Sequence, residues 1–183
     1  MQTLKRSKML PFLIAFIGLF SCTTIPQGAT AVQPFNSEKY LGKWYEIARI
    51  DFKFEKNMNN TTAEYSLNKN GTIKVVNRGY NTEKEEWTEA VGKAKFVKGK
   101  DIGMLKVSFF GPFYSGYNVL AVDDNYKYAL VGGRSHDFLW ILSRETTIPT
   151  DVKEDYLKIA KENGYHIEKL LWVEHNLSNS QSN

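Results

Sequence analysis

The chain is poor in the residues that form disulfides, metal sites and catalytic groups: 183 residues include one cysteine, three histidines and five prolines. A single cysteine excludes an intramolecular disulfide and a zinc site built on paired cysteines. His136, His166 and His175 do not have the spacing of a catalytic triad or a metal site. The glycine pair Gly132-Gly133 ends a predicted strand and does not open a helix, as a phosphate-binding loop would. The sequence therefore predicts a protein without catalytic residues, metal or cofactor.

Basic residues are also less concentrated than the net charge suggests. The chain has 24 basic and 20 acidic residues, but Lys5, Arg6 and Lys8 account for three of the basic ones. Without this N-terminal segment the charge is close to neutral, and no dense basic face is visible. A nucleic-acid partner is therefore not expected. The aromatic content of 14% indicates a chain that can bury enough apolar surface to fold.

The first 22 residues indicate export and lipid attachment. The three basic residues precede an apolar run, Met9–Phe20, which is typical of a secretory signal peptide. Leu19-Phe20-Ser21-Cys22 then resembles a lipobox, in which the cysteine is acylated and becomes the new N-terminus. We predict a signal peptide over residues 1–21 and a lipid anchor at Cys22. The alternative is an ordinary signal peptide followed by an unrelated cysteine.

Residues 22–34 have no hydrophobic period and contain two prolines, which predicts a lipidated tether. Two or more acyl chains would make membrane attachment effectively permanent. Thr23 occupies the position where an Asp would favour retention in the inner membrane. In a bacterium with two membranes this predicts an outer-membrane protein that faces the periplasm.

From residue 43 onward the hydrophobic period is two, which indicates strands. Eight short strands without intervening helices favour an all-β fold, an eight-stranded up-and-down antiparallel β-barrel, because closure removes exposed edges. The predicted strands are Trp44–Ile50, Thr62–Leu67, Thr72–Val76, Glu86–Val97, Gly103–Phe110, Tyr117–Asp123, Tyr128–Gly132 and Phe138–Arg144.

After Pro149 the period becomes helical, with Thr150 as the expected N-cap and Gly164 as the C-terminal stop. One α-helix can only pack on the outside of a barrel. A final strand is predicted over Tyr165–Glu174. We place the barrel domain at residues 35–177 and a flexible tail at residues 178–183.

Three segments carry a family resemblance. Gly42-Lys43-Trp44 opens the first strand, Asn118–Tyr126 lies near the turn after the sixth, and Leu139–Arg144 forms the last barrel strand. In this order and spacing they resemble the lipocalin motifs, and the chain resembles the lipid-anchored lipocalins of bacterial outer membranes. The resemblance implies that Trp44 closes the bottom of the barrel and that Arg144 packs over it, both in structural roles with Gly42.

Strand alternation predicts which side chains line the interior. If Trp44 points inward, so do Glu46 and Ala48. Small residues at inward positions (Ala48, Ala63, Ala90 and Gly92) leave room for a ligand, although a packed core is the alternative for each position. Trp140 and Tyr114 are the strongest candidates for ligand contact. The full predicted lining is Trp140, Tyr114, Phe109, Val107, Phe138, Ala63, Val75, Tyr65 and Ala90.

Two further features need an explanation. An inward carboxylate at Glu46 is costly unless it is paired, and the sequence offers Asn118 or Arg78 as a partner. A role for Glu46 in holding a polar headgroup is the second interpretation. The loops 52–55 and 111–114 are expected to form the rim, where exposed aromatic residues serve ligand entry, hinge packing or dimer contact.

These features predict a membrane-anchored binding protein that stores or transports a fatty acid or a lysophospholipid in an apolar cavity. A homodimer that completes the cup is a further hypothesis. Two alternatives stay open: an envelope-stress or structural lipoprotein that binds another protein, and a carrier of another apolar ligand such as a tetrapyrrole or carotenoid.

Overall fold

The computed structural model describes residues 24–177 and confirms the predicted barrel. Strands β1 to β8 pair antiparallel in chain order, and β1 also pairs with β8, which closes the sheet. The strands are β1 Gly42–Ile50, β2 Met58–Leu67, β3 Ile73–Asn81, β4 Glu86–Phe96, β5 Met104–Phe110, β6 Phe113–Val122, β7 Tyr128–Gly132, β8 Leu139–Ser143 and β9 Leu170–Trp172. The α-helices are α1 Ser37–Tyr40 and α2 Thr150–Glu162, and a 3-10 helix spans Ile167–Lys169.

The last strand is shorter than predicted. Instead of Tyr165–Glu174, only β9 pairs with β1, at Ala48 to Ile50. The reason lies in β1, which pairs with β2 only from Gly42 to Tyr45. Beyond Tyr45 one edge of β1 is free of β2, and β9 covers that edge.

Helix α2 packs outside the barrel, as predicted. Its buried residues Tyr156 and Ala160 join a cluster with Leu130 and Ile141 of β7 and β8. The predicted cap is wrong: Pro149 occupies the N-cap position, and no side chain caps the helix. Within residues 24–177, neither helix is long and apolar enough to cross a membrane.

Helix α1 was not predicted from the sequence. The Asn36 side chain caps it by accepting hydrogen bonds from the backbone N–H groups of Glu38 and Lys39. This short helix brings Tyr40 and the preceding Phe35 into the barrel core next to Trp44. The end of the barrel that contains Trp44 is called the closed end below, and the opposite end is called the mouth.

Strand β1 contains a bulge that changes which side chains point inward. Glu46 pairs with Leu142, whereas Ala48 pairs with Ile141, so one extra residue of β1 is inserted between them. Ala48 therefore lies in the outer cluster beneath α2, which corrects the prediction that it points inward. Arg49, which simple alternation from Trp44 places outside, is almost fully buried and bonded to Glu46.

Residues 24–34, predicted as tether, lie against the barrel wall. The backbone N–H of Val32 donates to the carbonyl of Val119, and the carbonyl of Val32 accepts from Gly103, with N···O distances of 2.8 and 3.0 Å. The predicted signal peptide, Cys22 and the tail 178–183 lie outside the described residues.

Candidate ligand-binding site

The closed end of the barrel is filled. Trp44 is fully buried, and the Arg144 guanidinium lies 3.8 Å from the centroid of its rings. Arg144 donates hydrogen bonds to backbone carbonyls, among them those of Lys43 at 2.7 Å and Leu41 at 2.8 Å. Gly42 has φ +93° and approaches the same guanidinium, which favours glycine there. These hydrogen bonds join Arg144, which follows β8, to the start of β1, the strand that pairs with β8 to close the barrel.

Above Trp44, three tyrosine hydroxyls meet inside the barrel. Tyr117 Oη lies 2.7 Å from Tyr40 Oη and 2.8 Å from Tyr65 Oη. Burial raises the pKa of all three hydroxyls, so they stay protonated and can both donate and accept hydrogen bonds. We call these residues the tyrosine cluster.

Towards the mouth the interior is less filled. Inward residues at the level of the closed end, such as Ile73, Val75 and Leu105, are buried. Nearer the mouth, or beside the tyrosine cluster, other inward residues stay partly exposed although they belong to the same core cluster. These are Ala63, Val107, Phe109 and Trp140, together with Tyr117 of the tyrosine cluster itself. The upper interior is therefore less completely buried than these residues of the closed end, and it is apolar apart from the polar groups described next.

Trp140 lies at the centre of this upper region. Its ring stacks on Phe138 with 6.3 Å between centroids, and Phe52 meets it edge-on at 5.9 Å. Its indole Nε1 donates a hydrogen bond of 3.0 Å to Glu55 Oε2. The two ring contacts and the hydrogen bond from Nε1 thus hold Trp140 in place. Part of its side chain still faces the interior.

A buried ionic cluster lies beside Trp140. Arg49 donates from Nη1 to Glu46 Oε1 at 2.8 Å and from Nε to Asp51 Oδ1 at 2.9 Å. Its Nη2 donates to the carbonyls of Glu55 and Met58 at 2.7 and 3.1 Å. The predicted partners of Glu46, Asn118 and Arg78, are therefore wrong, because the bulge in β1 turns Arg49 inward. We call Glu46, Arg49, Asp51 and Glu55 the Arg49 cluster.

Two carboxyl groups of this cluster, those of Glu55 and Glu46, have raised pKa values. Burial raises the pKa of Glu55 to about 8, and the nearby Glu46 carboxylate adds to the rise, whereas the hydrogen bond from Trp140 opposes it. Burial also raises the pKa of Glu46, and the Arg49 guanidinium opposes that rise. One arginine lies among three carboxyl groups, so ionisation of all three would leave an excess of negative charge. Protonation of Glu55 reduces this excess.

The structure places the predicted lining residues in four different environments. Trp140, Phe109, Val107 and Ala63 are inward and partly exposed, whereas Val75 and Tyr65 are buried in the filled part. Phe138 packs against Trp140 and Phe52 near the mouth. Ala90 pairs with Asn77 and is exposed.

Tyr114, predicted to contact the ligand near the mouth, does not face the interior. Its ring lies between the amino groups of Lys95 and Lys106, at 5.5 and 5.3 Å. Alternation along β6 gives the reason, since Tyr117 and Val119 belong to the inner core and Tyr114 has the opposite parity. Tyr114 therefore lies on the outer wall near the mouth.

The small residues that were predicted to point inward also leave less space than expected. Ala48 lies outside, and a Cβ on Gly92 would approach the Phe109 ring to 2.8 Å, so that ring already uses the space next to Gly92. Of the four small residues, Ala63 alone is an inward position in the partly exposed region. The space available in the upper interior therefore depends on the small side chain of Ala63 and on how far from the mouth the tyrosine cluster lies.

Three residues of the site were not found from the sequence: Arg49, Glu55 and Tyr117. The first two depend on the bulge and on the fold of the loop 51–57. Tyr117 was detectable, because it has the same parity as Val119 on a predicted strand.

The two loops predicted to form the rim do meet. The rings of Phe54 and Phe110 lie 6.3 Å apart, and Phe113 pairs with Phe110 across the β5–β6 hairpin. The exposed fractions of Phe54, Phe110 and Phe113 are 67%, 71% and 79%. We call these three residues the aromatic rim.

Comparisons with known proteins agree with this architecture. The Outer membrane lipoprotein Blc of Citrobacter freundii is 47% identical over 171 residues, which cover 91% of this chain and 97% of that protein. The protein of the same name from Vibrio cholerae is 44% identical over 163 residues, with 88% and 95% covered. Insecticyanin from the tobacco hornworm Manduca sexta has a similar structure, with a TM-score of 0.66, 20% identity and coverage of 85% and 87%.

A sequence model described as a lipocalin-like domain matches residues 35–175, which is the whole barrel, helix α2 and strand β9. The match therefore includes the residues of the closed end, the tyrosine cluster and the Arg49 cluster. The chain belongs to the lipocalin family.

Proposed function

We propose that this protein is a lipid-anchored, lipid-binding protein of the bacterial outer membrane, which holds a fatty acid or a lysophospholipid in its barrel. The observation that carries the proposal is the gradient inside the barrel. The closed end is filled, whereas Val107, Phe109 and Trp140 stay partly exposed above it. An apolar wall open at one end suits a single aliphatic chain, because burial of each CH₂ contributes about 0.8 kcal/mol.

The names of the relatives support the location. The bacterial proteins that this chain resembles over about nine tenths of its length are named outer membrane lipoproteins. Cys22, the only cysteine, follows Leu19-Phe20-Ser21, as acylation of an exported lipoprotein requires. Attachment through Cys22 would leave the barrel in the periplasm. We propose a role in ligand holding or transfer without catalysis.

The first test is to identify what the barrel carries. The protein is purified from membranes of its own host, and bound lipids are extracted and quantified by mass spectrometry. We compare Ala63→Leu, which fills the partly exposed interior, with Ser66→Leu, which adds the same side chain on the exposed face of β2. We expect single-chain lipids in the unmodified protein and in Ser66→Leu, and a loss of most of this lipid in Ala63→Leu.

Trp140 provides an independent readout. In a Cys22→Ser variant whose fold is checked by circular dichroism, addition of oleate or a lysophospholipid should change the emission of Trp140. The Trp140→Phe variant identifies which part of the signal comes from this indole. A folded protein with no emission change, or equal lipid yields from both leucine variants, contradicts the proposal. Recovery of a tetrapyrrole or of a bound protein instead favours the alternative carriers or a structural role.

A further inference from the structure

The N-terminal segment ends close to the mouth of the barrel. The carbonyl of Thr24, the first described residue, accepts a hydrogen bond of 2.8 Å from Asn118 Nδ2. The Thr24 carbonyl also lies directly against Gly116, at a point where the backbone of Arg134 in the β7–β8 loop comes close. Further along the chain, Val32 bonds to Val119, and Phe35 packs at the closed end. Followed backwards, the segment therefore runs from the closed end towards the mouth.

This path limits where a lipid on Cys22 can lie. Two residues of extended chain span at most about 7 Å, so a lipid attached at position 22 would be held within about that distance of Thr24. Gly116 is three residues from Phe113 along β6, a distance of about 10 Å. The acyl chains are thus tied to the end of the barrel that carries the aromatic rim.

The aromatic rim has the chemistry of a membrane-contacting surface. Phe54, Phe110 and Phe113 are each more than two-thirds exposed, which is unusual for phenylalanines that lie close to one another. Lys53 Nζ lies 4.7 Å from the Phe54 ring. Apolar rings with lysines beside them match a bilayer interface, where rings enter the acyl boundary and amino groups stay with the lipid phosphates.

The outer wall next to the rim continues this pattern. Tyr114 adjoins Phe113 in β6 and lies between Lys95 and Lys106. Tyrosine and lysine at this level are typical of residues at the height of lipid headgroups. Tyr114, which does not line the interior, is therefore suited to a position at the membrane surface.

The aromatic rim comes from the β1–β2 loop and the β5–β6 hairpin, and it does not include the β3–β4 hairpin between them. The β3–β4 hairpin reaches the same end, because Asn57 Nδ2 donates to Glu83 Oε2 at 2.6 Å, but its turn is Thr82-Glu83-Lys84-Glu85. A polar turn beside the aromatic rim favours a tilted contact with a flat surface. At the closed end the β2–β3 turn, Asn68–Thr72, is likewise polar.

We propose that the protein rests mouth-down on the membrane that holds its own lipid anchor, with Phe54, Phe110 and Phe113 in the bilayer interface. The inference rests on the proposed acylation of Cys22 and adds an orientation to it. A ligand would then pass between bilayer and barrel interior beneath the aromatic rim, without crossing bulk water.

The test uses the full, lipidated chain in vesicles of phosphatidylethanolamine and phosphatidylglycerol, at low protein density. Because Cys22 is the only cysteine, its acylation leaves an introduced cysteine as the single free thiol. Phe110→Cys and Phe113→Cys place an environment-sensitive nitrobenzoxadiazole probe at the rim. Leu67→Cys is the matched control, since Leu67 is a 56%-exposed apolar residue at the closed end.

We expect spin-labelled lipid to quench the probes at 110 and 113 several-fold more strongly than the probe at 67. Equal quenching at both ends overturns the orientation. Shielding of the probe at 110 that grows with protein density, with no quenching by lipid, also overturns it. If the unlabelled Phe110→Cys protein then forms disulfide crosslinks between copies on addition of a mild oxidant, the rim is assigned to a second copy. Mass spectrometry that finds Cys22 unacylated overturns both the orientation and the proposed anchor, whereas an acylated Cys22 with equal quenching overturns the orientation alone.

Discussion

The two ends of the barrel interior each combine an arginine with a tryptophan, but the arginines have different partners. At the closed end Arg144 covers Trp44 and donates to backbone carbonyls. Near the mouth Arg49 donates to the carboxylates of Glu46 and Asp51, and Trp140 bonds to Glu55 of the same cluster. Among the described residues, the hydrogen bonds of Arg144 therefore go to backbone carbonyls alone, whereas Arg49 is held by carboxylates as well as by carbonyls.

The difference matches what each end has to do under the proposed function. Carbonyl oxygens keep their hydrogen bonds at every pH, so the closed end stays shut. Carboxyl groups in a buried cluster exchange protons, so the charge near the mouth varies with pH. The exposure of the two ends agrees, because Trp44 is fully buried and Trp140 is not. The following substitutions test this contrast.

The largest effect is expected for Arg49→Met. Loss of the guanidinium leaves Glu46 buried without a counter-charge, and removal of one partner of a buried ion pair costs about 3–5 kcal/mol. A buried carboxyl without its cation has a pKa raised above the unfolded value, so the loss of stability grows as pH rises. Denaturant unfolding at about pH 5 and about pH 8 should show the larger loss at the higher pH.

The double variant Arg49→Met with Glu46→Gln is the control for this prediction. It removes both charges, and the amide can be buried without ionisation. We expect it to recover more than half of the lost stability, and the loss that remains relative to the unmodified protein should no longer grow between about pH 5 and about pH 8. If the double variant is as unstable as Arg49→Met at both pH values, the guanidinium stabilises the barrel through its carbonyl contacts, and the contrast between the two ends fails.

A smaller effect is expected for Arg144→Met. This variant loses the contact with Trp44 and the hydrogen bonds to the carbonyls of Lys43 and Leu41, at a cost on the order of 2–3 kcal/mol. Because no carboxylate is left unpaired, thermal or denaturant unfolding should show the same loss at about pH 5 and about pH 8. The exposed Arg134→Met is the matched control and should change stability little.

Much of the fold could be predicted because it depends on local alternation and on motifs. Alternating residues gave the eight strands, and the helical period gave α2 with Gly164 beyond its end. The short helix α1 could not be found, since it spans four residues and depends on the Asn36 cap. The length of β9 could not be found either, because it is set by how far β2 stays paired with β1.

The site was less predictable than the fold because one bulge changes the register. From Trp44, simple alternation correctly places Glu46 inside, but it then places Ala48 inside and Arg49 outside. A bulge is a property of two paired strands, so β1 alone does not reveal it. Trp140 was found because β8 is regular, whereas Tyr114 was misplaced because its loop was not recognised as the start of β6.

The smallest effect, and the one most specific to the mouth, is expected from Glu55→Gln. The raised pKa means that folded Glu55 binds a proton between about pH 4.5 and about pH 8, where the unfolded chain has released it. Stability of the unmodified protein should therefore fall as pH rises across this range, and Trp140 emission should titrate near pH 8. Glutamine mimics the protonated carboxyl, so Glu55→Gln should remove the titration and raise stability at alkaline pH.

The matched control is Glu83→Gln, which changes an exposed carboxyl of the β3–β4 turn at the same end of the barrel. It should leave the Trp140 titration unchanged, because Glu83 bonds to Asn57 and makes no contact with the indole. A Trp140 titration near pH 8 that persists in Glu55→Gln would assign the proton to Glu46 instead. In that case Arg49 does not keep Glu46 ionised, and the cluster near the mouth has its exchangeable proton beside the bulge in β1 and not at the loop 51–57.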